Sequence, residues 1–462
     1  MTGRTWVRLD NASNIFLAAR TDADPKVFRL SAETDHEVDP VLLQRALDDT
    51  YEQYPLYHAV LRRGVFWYYL QDSDLRPHVT GEELHTCAPI YRADRRNLLF
   101  RVTHHLRRIN LEVFHALSDG TGALWFLADL VTAYHRLRYP DQPHGPDPMA
   151  AAAPEPARGL TDDSFAQYFR RDAAPAALSL PGVETDTAPG PAAHARRHRA
   201  AGGRRRPPVY RIHGTRTPDH RTRDVELTLS ARQVLEVARA EQVSVTMYLT
   251  ALFFESIRRS SGGLGRHQTL AVSVPVNLRQ FFPSTSARNF FATVRVEHTY
   301  GQVGGDGRGG DPDSIGAVAR ALQAQFRPKA TPEALETKLR QFIRFERMPV
   351  LRVLPRPLKD LMLGLVNRIN NRGLTVAISN MGRVSLPAPA EDHVGRMFLH
   401  VSAARPQFCV VSHAGLLTVS FSSPFTETGH IREFARELTG HGVQVSVASA
   451  RVTEEELAEV SP

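Results

Sequence analysis

Asn110-Leu-Glu-Val-Phe-His-Ala-Leu-Ser-Asp-Gly-Thr-Gly122 brings an imidazole, two carboxylates and two glycines into one short span. An imidazole titrates near neutrality, so His115 suits the removal of a proton from a hydroxyl or amine. Asp119 lies four residues on and could order the loop by pairing with an arginine elsewhere in the chain. Residues before His115 follow a strand pattern, and those after Gly122 follow a helical one. His115 is thus expected at a strand exit, in a tight connection permitted by Gly120, where fixed backbone on both sides presents a side chain to a cleft. A His-x-x-x-Asp-Gly string also arises by chance. The strand–turn–helix setting is what favours chemistry here.

Other candidates carry less. His104 and His105 are adjacent on a strand and point to opposite faces, which argues against a shared metal ion. Cys87 and Cys409 are the only cysteines and lack metal-type spacing. No disulfide framework is indicated, and Cys409 reads as a small buried hydrophobe on a strand. The formal charge is +8, yet six arginines and no acid fall between Arg196 and Arg206. The excess is local, in a stretch interrupted by Gly and Pro, and does not describe a basic folded face for nucleic acid.

The elements that must hold His115 alternate strand and helix. In the first half, Lys26–Leu30 reads as a strand and Pro40–Gln53 as a helix. His58–Leu70 reads as a hairpin turning at Arg63-Gly64. Asn97–His105 and Ile109–His115 read as a strand pair, followed by a helix over about Thr121–Arg138. From Pro140 to Pro208 the chain is rich in Ala, Pro, Gly and Arg, with one helical stretch over Asp162–Arg171; a connection this long fits a crossing between domains. Strands are expected at Arg223–Leu229, Thr269–Val274, around Ala292, Val294 and Val296, at Thr375–Ser379, in a hairpin of Phe408–Ser412 and Leu416–Ser422, and at Val443–Val447. Ser230 and Ser244 cap helices, Thr331-Pro332 opens another, and a further helix runs from about Thr428 to Gly440. The apolar face of Leu358–Ile369 is read as core or interdomain packing in preference to membrane binding. The expected division is an N-terminal half over 1–185, an Arg/Pro/Gly-rich linker over 186–208 and a C-terminal half over 209–462.

On these residues the chain resembles the chloramphenicol-acetyltransferase-like superfamily, which includes peptide-synthetase condensation domains, plant acyltransferases and alcohol acetyltransferases. The resemblance rests on His115 to Gly120, on Ser273-Val-Pro-Val-Asn-Leu-Arg279, on Thr285-Ser-Ala-Arg-Asn-Phe-Phe291, on Ile378-Ser-Asn-Met-Gly382 and on Pro55–Leu70. It looks nearest to the free-standing bacterial alcohol-acetyltransferase-like proteins. It implies two α/β (α+β) sandwich domains with the active site in a tunnel between them. It makes His115 the general base that activates an acceptor against an acyl thioester. Asp119, Gly120 and Arg279 would support the motif, with Arg279 as the partner of Asp119. Ser379 and Asn380 would lie in the substrate or oxyanion region. Asn289 reads as a loop cap.

Two departures narrow the resemblance. Phe114 stands where condensation domains usually carry another histidine, and the plant Asp-Phe-Gly-Trp-Gly segment is replaced by Arg288-Asn-Phe-Phe291. No bound cofactor or metal is expected; acyl-CoA would be a co-substrate, or an acyl carrier protein the donor's bearer, with a small alcohol or amine as acceptor. The opening residues lack the apolar run of a signal peptide, and no stretch reaches the ~20 apolar residues of a membrane span. A cytoplasmic monomer is the expectation. The alternatives are a carrier-dependent condensation-type enzyme and a non-catalytic binding relative.

Overall fold

The computed structural model describes residues 5–142, 159, 163–169, 208–217, 221–262, 268–301, 311–346 and 355–449. Of the expected linker, only Pro208 is among them.

Two main sheets carry the molecule. The first has five strands in the order β12-β2-β7-β6-β5, namely Val394–Val401, Val27–Thr34, Arg108–Phe114, Phe100–His105 and Thr80–Gly81. The second has seven, in the order β10-β9-β11-β13-β14-β8-β15: Phe291–Thr299, Thr269–Asn277, Val376–Arg383, Gln407–His413, Leu416–Ser423, Arg223–Ser230 and Val445–Ser449. A small sheet of β1 (Trp6–Arg8), β4 (Tyr68–Gln71) and β3 (Val60–Arg63) stands apart.

The helices are α1 (Asn11–Ala19), α2 (Pro40–Gln53), α3 (Gly120–Arg138), α4 (Ser164–Phe169), α5 (Ala231–Ala240), α6 (Val245–Ser260), α7 (Ile315–Phe326), α8 (Pro332–Glu346), α9 (Arg356–Arg372), α10 (Ala390–His393) and α11 (Gly429–Gly440). Their starts have local causes. Asp39 accepts from the backbone of Val41 and Leu42 ahead of Pro40, and Ser230 and Ser244 accept from Gln233 and Met247. Each cap satisfies donors that the helix itself leaves open.

Two cores result. Tyr54, Tyr57, Phe100 and Phe126 interlock between α2, α3 and the five-stranded sheet, while Phe253, Phe408, Phe421 and Phe434 do so between α6, α11 and the seven-stranded one. The architecture is mixed α/β.

Two segments cross the expected division at 209. Strand β12 pairs antiparallel with β2 from Val401↔Phe28 to Val394↔Thr34, so a strand of the second half completes the sheet of the first. Conversely, Phe165 and Phe169 of α4 pack against Phe282 and Phe290 in the second core. Local periodicity cannot show which sheet a strand joins.

The reading of α9 as core packing is corrected: Leu358, Leu361, Leu365, Val366 and Ile369 are all exposed. No helix among the described residues is long and apolar enough to cross a membrane.

Candidate active site

His115 follows the last residue of β7, and its backbone N–H donates at 2.8 Å to the carbonyl of Lys26, the residue just before β2. Its ring stacks on Phe16 of α1 (centroids 3.9 Å apart), with Phe28 edge-on and Phe291 beyond. The tautomer follows from Asn289. The amide nitrogen of Asn289 donates to the His115 carbonyl at 2.8 Å and to Ser13 Oγ at 3.0 Å, which fixes the amide's orientation. Its Oδ1 then faces His115 Nδ1 at 3.2 Å and must accept, so Nδ1 carries the hydrogen. Nε2 is left with a lone pair. Burial drives the imidazole pKa down to about 4, only partly offset by the charge of Asp119, so the ring is neutral at physiological pH.

Asp119 points away from His115 chemistry. It is the N-cap of α3, where Oδ1 accepts from Gly122 N at 2.9 Å. Oδ2 accepts from Phe290 N and from Arg279 Nη1, both at 2.7 Å. Arg279 Nη2 in turn donates to the carbonyls of Ser286 (2.8 Å) and Arg288 (2.7 Å). One carboxylate and one guanidinium thereby join α3 to the 286–290 loop, which delivers Asn289 to His115. Both charges are buried, and the pairing together with the backbone bonds offsets their desolvation.

The glycines work differently from the expectation. Gly120 takes no left-handed conformation, and the close approach falls at Gly122, where a Cβ would collide with the Ala287 carbonyl and the Ser118 hydroxyl. A Cβ on Gly120 would press on Met381 Sδ at 2.9 Å.

His115 lines a cavity of about 240 Å³ together with Phe16, Phe28, Ser273, Ala377 and Arg405. Side chains of both halves therefore meet there. Ser379 lies two residues along the strand from Ala377, on the same face, without lining this cavity. Asn380 does not line this cavity either: strand alternation turns it to the other face, where it donates to Thr246 Oγ1 on α6 at 2.9 Å. Ser273 supplies a hydroxyl to the cavity, a role that sequence pattern alone did not single out. Helix α1, with Ser13 and Phe16, and the amide of Asn289 were likewise missed. The one available signal was Asn289 sitting between the recognised Arg279 and Phe291.

Cys87 and Cys409 are buried and burial pushes both thiols up, so neither is a ready nucleophile. No group of metal-binding side chains occurs among the described residues.

Neither a family model nor a curated protein matches the chain. Solved structures do match over nearly its whole length. TRI3 trichothecene 15-O-acetyltransferase from Fusarium sporotrichioides is similar at 8 % identity with a TM-score of 0.58, over 95 % of this chain and 94 % of that one. F. sporotrichioides TRI101, solved with coenzyme A and T-2, is 10 % identical with a TM-score of 0.57, over 96 % and 99 %. Polyketide synthase associated protein 5 from Mycobacterium tuberculosis is 15 % identical with a TM-score of 0.54, over 94 % and 98 %. A peptide-synthetase epimerization domain, from the third module of tyrocidine synthetase B, gives a TM-score of 0.53. The chain thus shares its overall fold with these solved structures.

Proposed function

We propose that this protein transfers an acyl group from a thioester to a hydroxyl or amine, with Nε2 of His115 as the general base. The observation that carries this reading is the Asn289 amide: it commits Nδ1 as a donor and leaves Nε2 as the only ring atom able to take a proton. Nε2 removes the acceptor's proton as the acceptor oxygen or nitrogen attacks the thioester carbonyl. The tetrahedral adduct collapses, the carbon–sulfur bond breaks, and the imidazolium returns its proton to the thiolate. Ser273, which lines the same cavity, is the hydroxyl assigned here to donate to the oxyanion. The thioester supplies the activation, so the step needs neither metal nor redox cofactor.

An alcohol acceptor and an acyl-CoA donor are favoured by the likeness to TRI101, which was solved with coenzyme A, and to the trichothecene 15-O-acetyltransferase. A carrier-borne donor is the second reading, favoured by the peptide-synthetase neighbour. The test is release of free thiol from acyl-CoA in the presence of a panel of alcohols and amines. Thiol release that depends on both the acceptor and His115 is expected. A rate unchanged in His115→Ala overturns the assignment.

A further inference from the structure

Helix α9 is amphipathic in the inverted sense. Its polar side faces the protein: Asp360 accepts from Tyr68 at 2.8 Å, Lys359 donates to the Phe66 carbonyl at 3.1 Å, and Gly364 lies against the Ala18 carbonyl of α1. Its apolar arc of Leu358, Leu361, Leu365, Val366 and Ile369 is 43 to 69 % exposed. Lys359 links the helix to the β3–β4 turn, where Val65 and Phe66 are also exposed. An ordinary surface helix buries such an arc, and a contiguous exposed patch of this kind marks a contact surface.

This patch borders a second, larger cavity of about 890 Å³, whose wall includes Leu361 and Leu365. That cavity shares Asp24, Lys26, Leu374 and Arg405 with the cavity of His115. Its rim also carries Arg211, Arg216, Arg368 and Arg372, all exposed. Its two carboxylates are already engaged, Asp24 with Lys26 and Asp360 with Tyr68. The mouth is thus apolar on one side and basic on the other.

We propose that α9 and the β3–β4 turn dock this protein on an anionic lipid surface, with the cavity mouth facing that surface. Basic side chains beside an exposed apolar arc are what an interfacial helix presents to acidic headgroups and acyl chains. A second copy fits less well, because a two-fold contact would present the same basic-rimmed patch from both sides, with no acidic surface to meet it. Since Leu361 and Leu365 belong to both patch and cavity, an amphiphile could pass from the surface towards His115 without its chain crossing water. That route rests on the acyl-transfer reading; the docking surface does not.

The test is flotation of the full chain with phosphatidylcholine vesicles, with and without phosphatidylglycerol. Binding is expected to the anionic vesicles, weaker at high salt, and about tenfold or more weaker for the Leu358→Glu, Ile369→Glu double variant, neither residue of which lines the cavity. That variant should keep its melting temperature and its rate on a short, water-soluble alcohol. Val41→Glu, at an exposed apolar position elsewhere, should bind like the wild type. The proposal is overturned if the wild type ignores anionic vesicles, or if the double variant binds as well as the wild type. It is also overturned if the patch instead supports a concentration-dependent dimer or capture of an acidic carrier domain without vesicle binding. Loss of vesicle binding in the double variant of a protein that shows no acyl transfer would sink the enzymatic reading and leave the docking surface standing.

Discussion

Among the ion pairs that join the halves of this molecule, two make an instructive contrast, and one of them stands beside the cavity of His115. Asp119 and Arg279 meet beside His115 and hold the loop that carries Asn289. Across the fold, Arg108 of β7 grips Glu226 of β8 through two bonds of 2.7 Å, and His400 of β12 approaches the same carboxylate at 3.2 Å. In chemical type the two junctions are alike. They differ in what they leave over. The second closes the interface between the two sheets. The first orients a third group, an imidazole whose remaining nitrogen has no structural duty. A buried charge pair alone therefore says little about function; the unspent lone pair beside it says more.

The largest effect expected is on rate, at the first junction. His115→Ala should lower acyl transfer by about 10³-fold while leaving the melting temperature nearly unchanged, as a thiol-release assay with thermal unfolding would show. Equal losses of rate and stability would make His115 one more structural residue. Next, Arg279→Ala should cost about 3 kcal/mol or more of stability, because it strands the buried Asp119 carboxylate. Denaturant unfolding measures this, and the surviving folded fraction should also lose activity.

Glu226→Gln sharpens the contrast. It should cost about 2 kcal/mol, the worth of hydrogen bonds to a charged group, with kcat per folded molecule unchanged. A fall in kcat would mean that the two junctions are coupled. Asn289→Ala should lower kcat about tenfold through loss of the imidazole's orientation, with KM little altered.

The smallest effects concern pH. Burial opposes ionisation of Glu226, but His400 and Arg108 outweigh it and hold its pKa at about 2. Its contribution to stability is present above the ordinary carboxylate range and is lost as pH falls towards 2. His115 shifts stability in the same direction for a different reason: depressed by burial to about 4, it stays neutral in the fold while the unfolded chain takes up a proton below about 6.5. It therefore destabilises the protein progressively as pH falls from about 6.5 to 4, a slope that His115→Ala should remove. The acid limb of kcat/KM should lie near 4; a limb near 6.5 would show an imidazole open to water.

Legibility in the sequence divides by the range of the interaction. Helix starts at Ser230, Ser244 and Pro332, the β6–β7 pair and the β13–β14 hairpin are decided by neighbours in the chain, and their patterns are visible there. Helix α1 was not: a short segment with little contrast between its faces offers no period to read. Strand β12 was missed because its partner, β2, lies far away in sequence. The apolar arc of α9 was visible, but its direction was not, since periodicity gives a face and not what the face meets.

The motif residues His115, Asp119 and Gly120 and the type of element on either side of them were determined by the sequence alone, because caps, turns and side-chain periods are local. What turned a histidine into a candidate base was decided only in the tertiary structure. Asn289 reaches His115 from 174 positions away and Arg279 reaches Asp119 from 160. Those separations are closed by packing, and the tautomer, the lowered pKa and the shared cavity exist only once both halves have met.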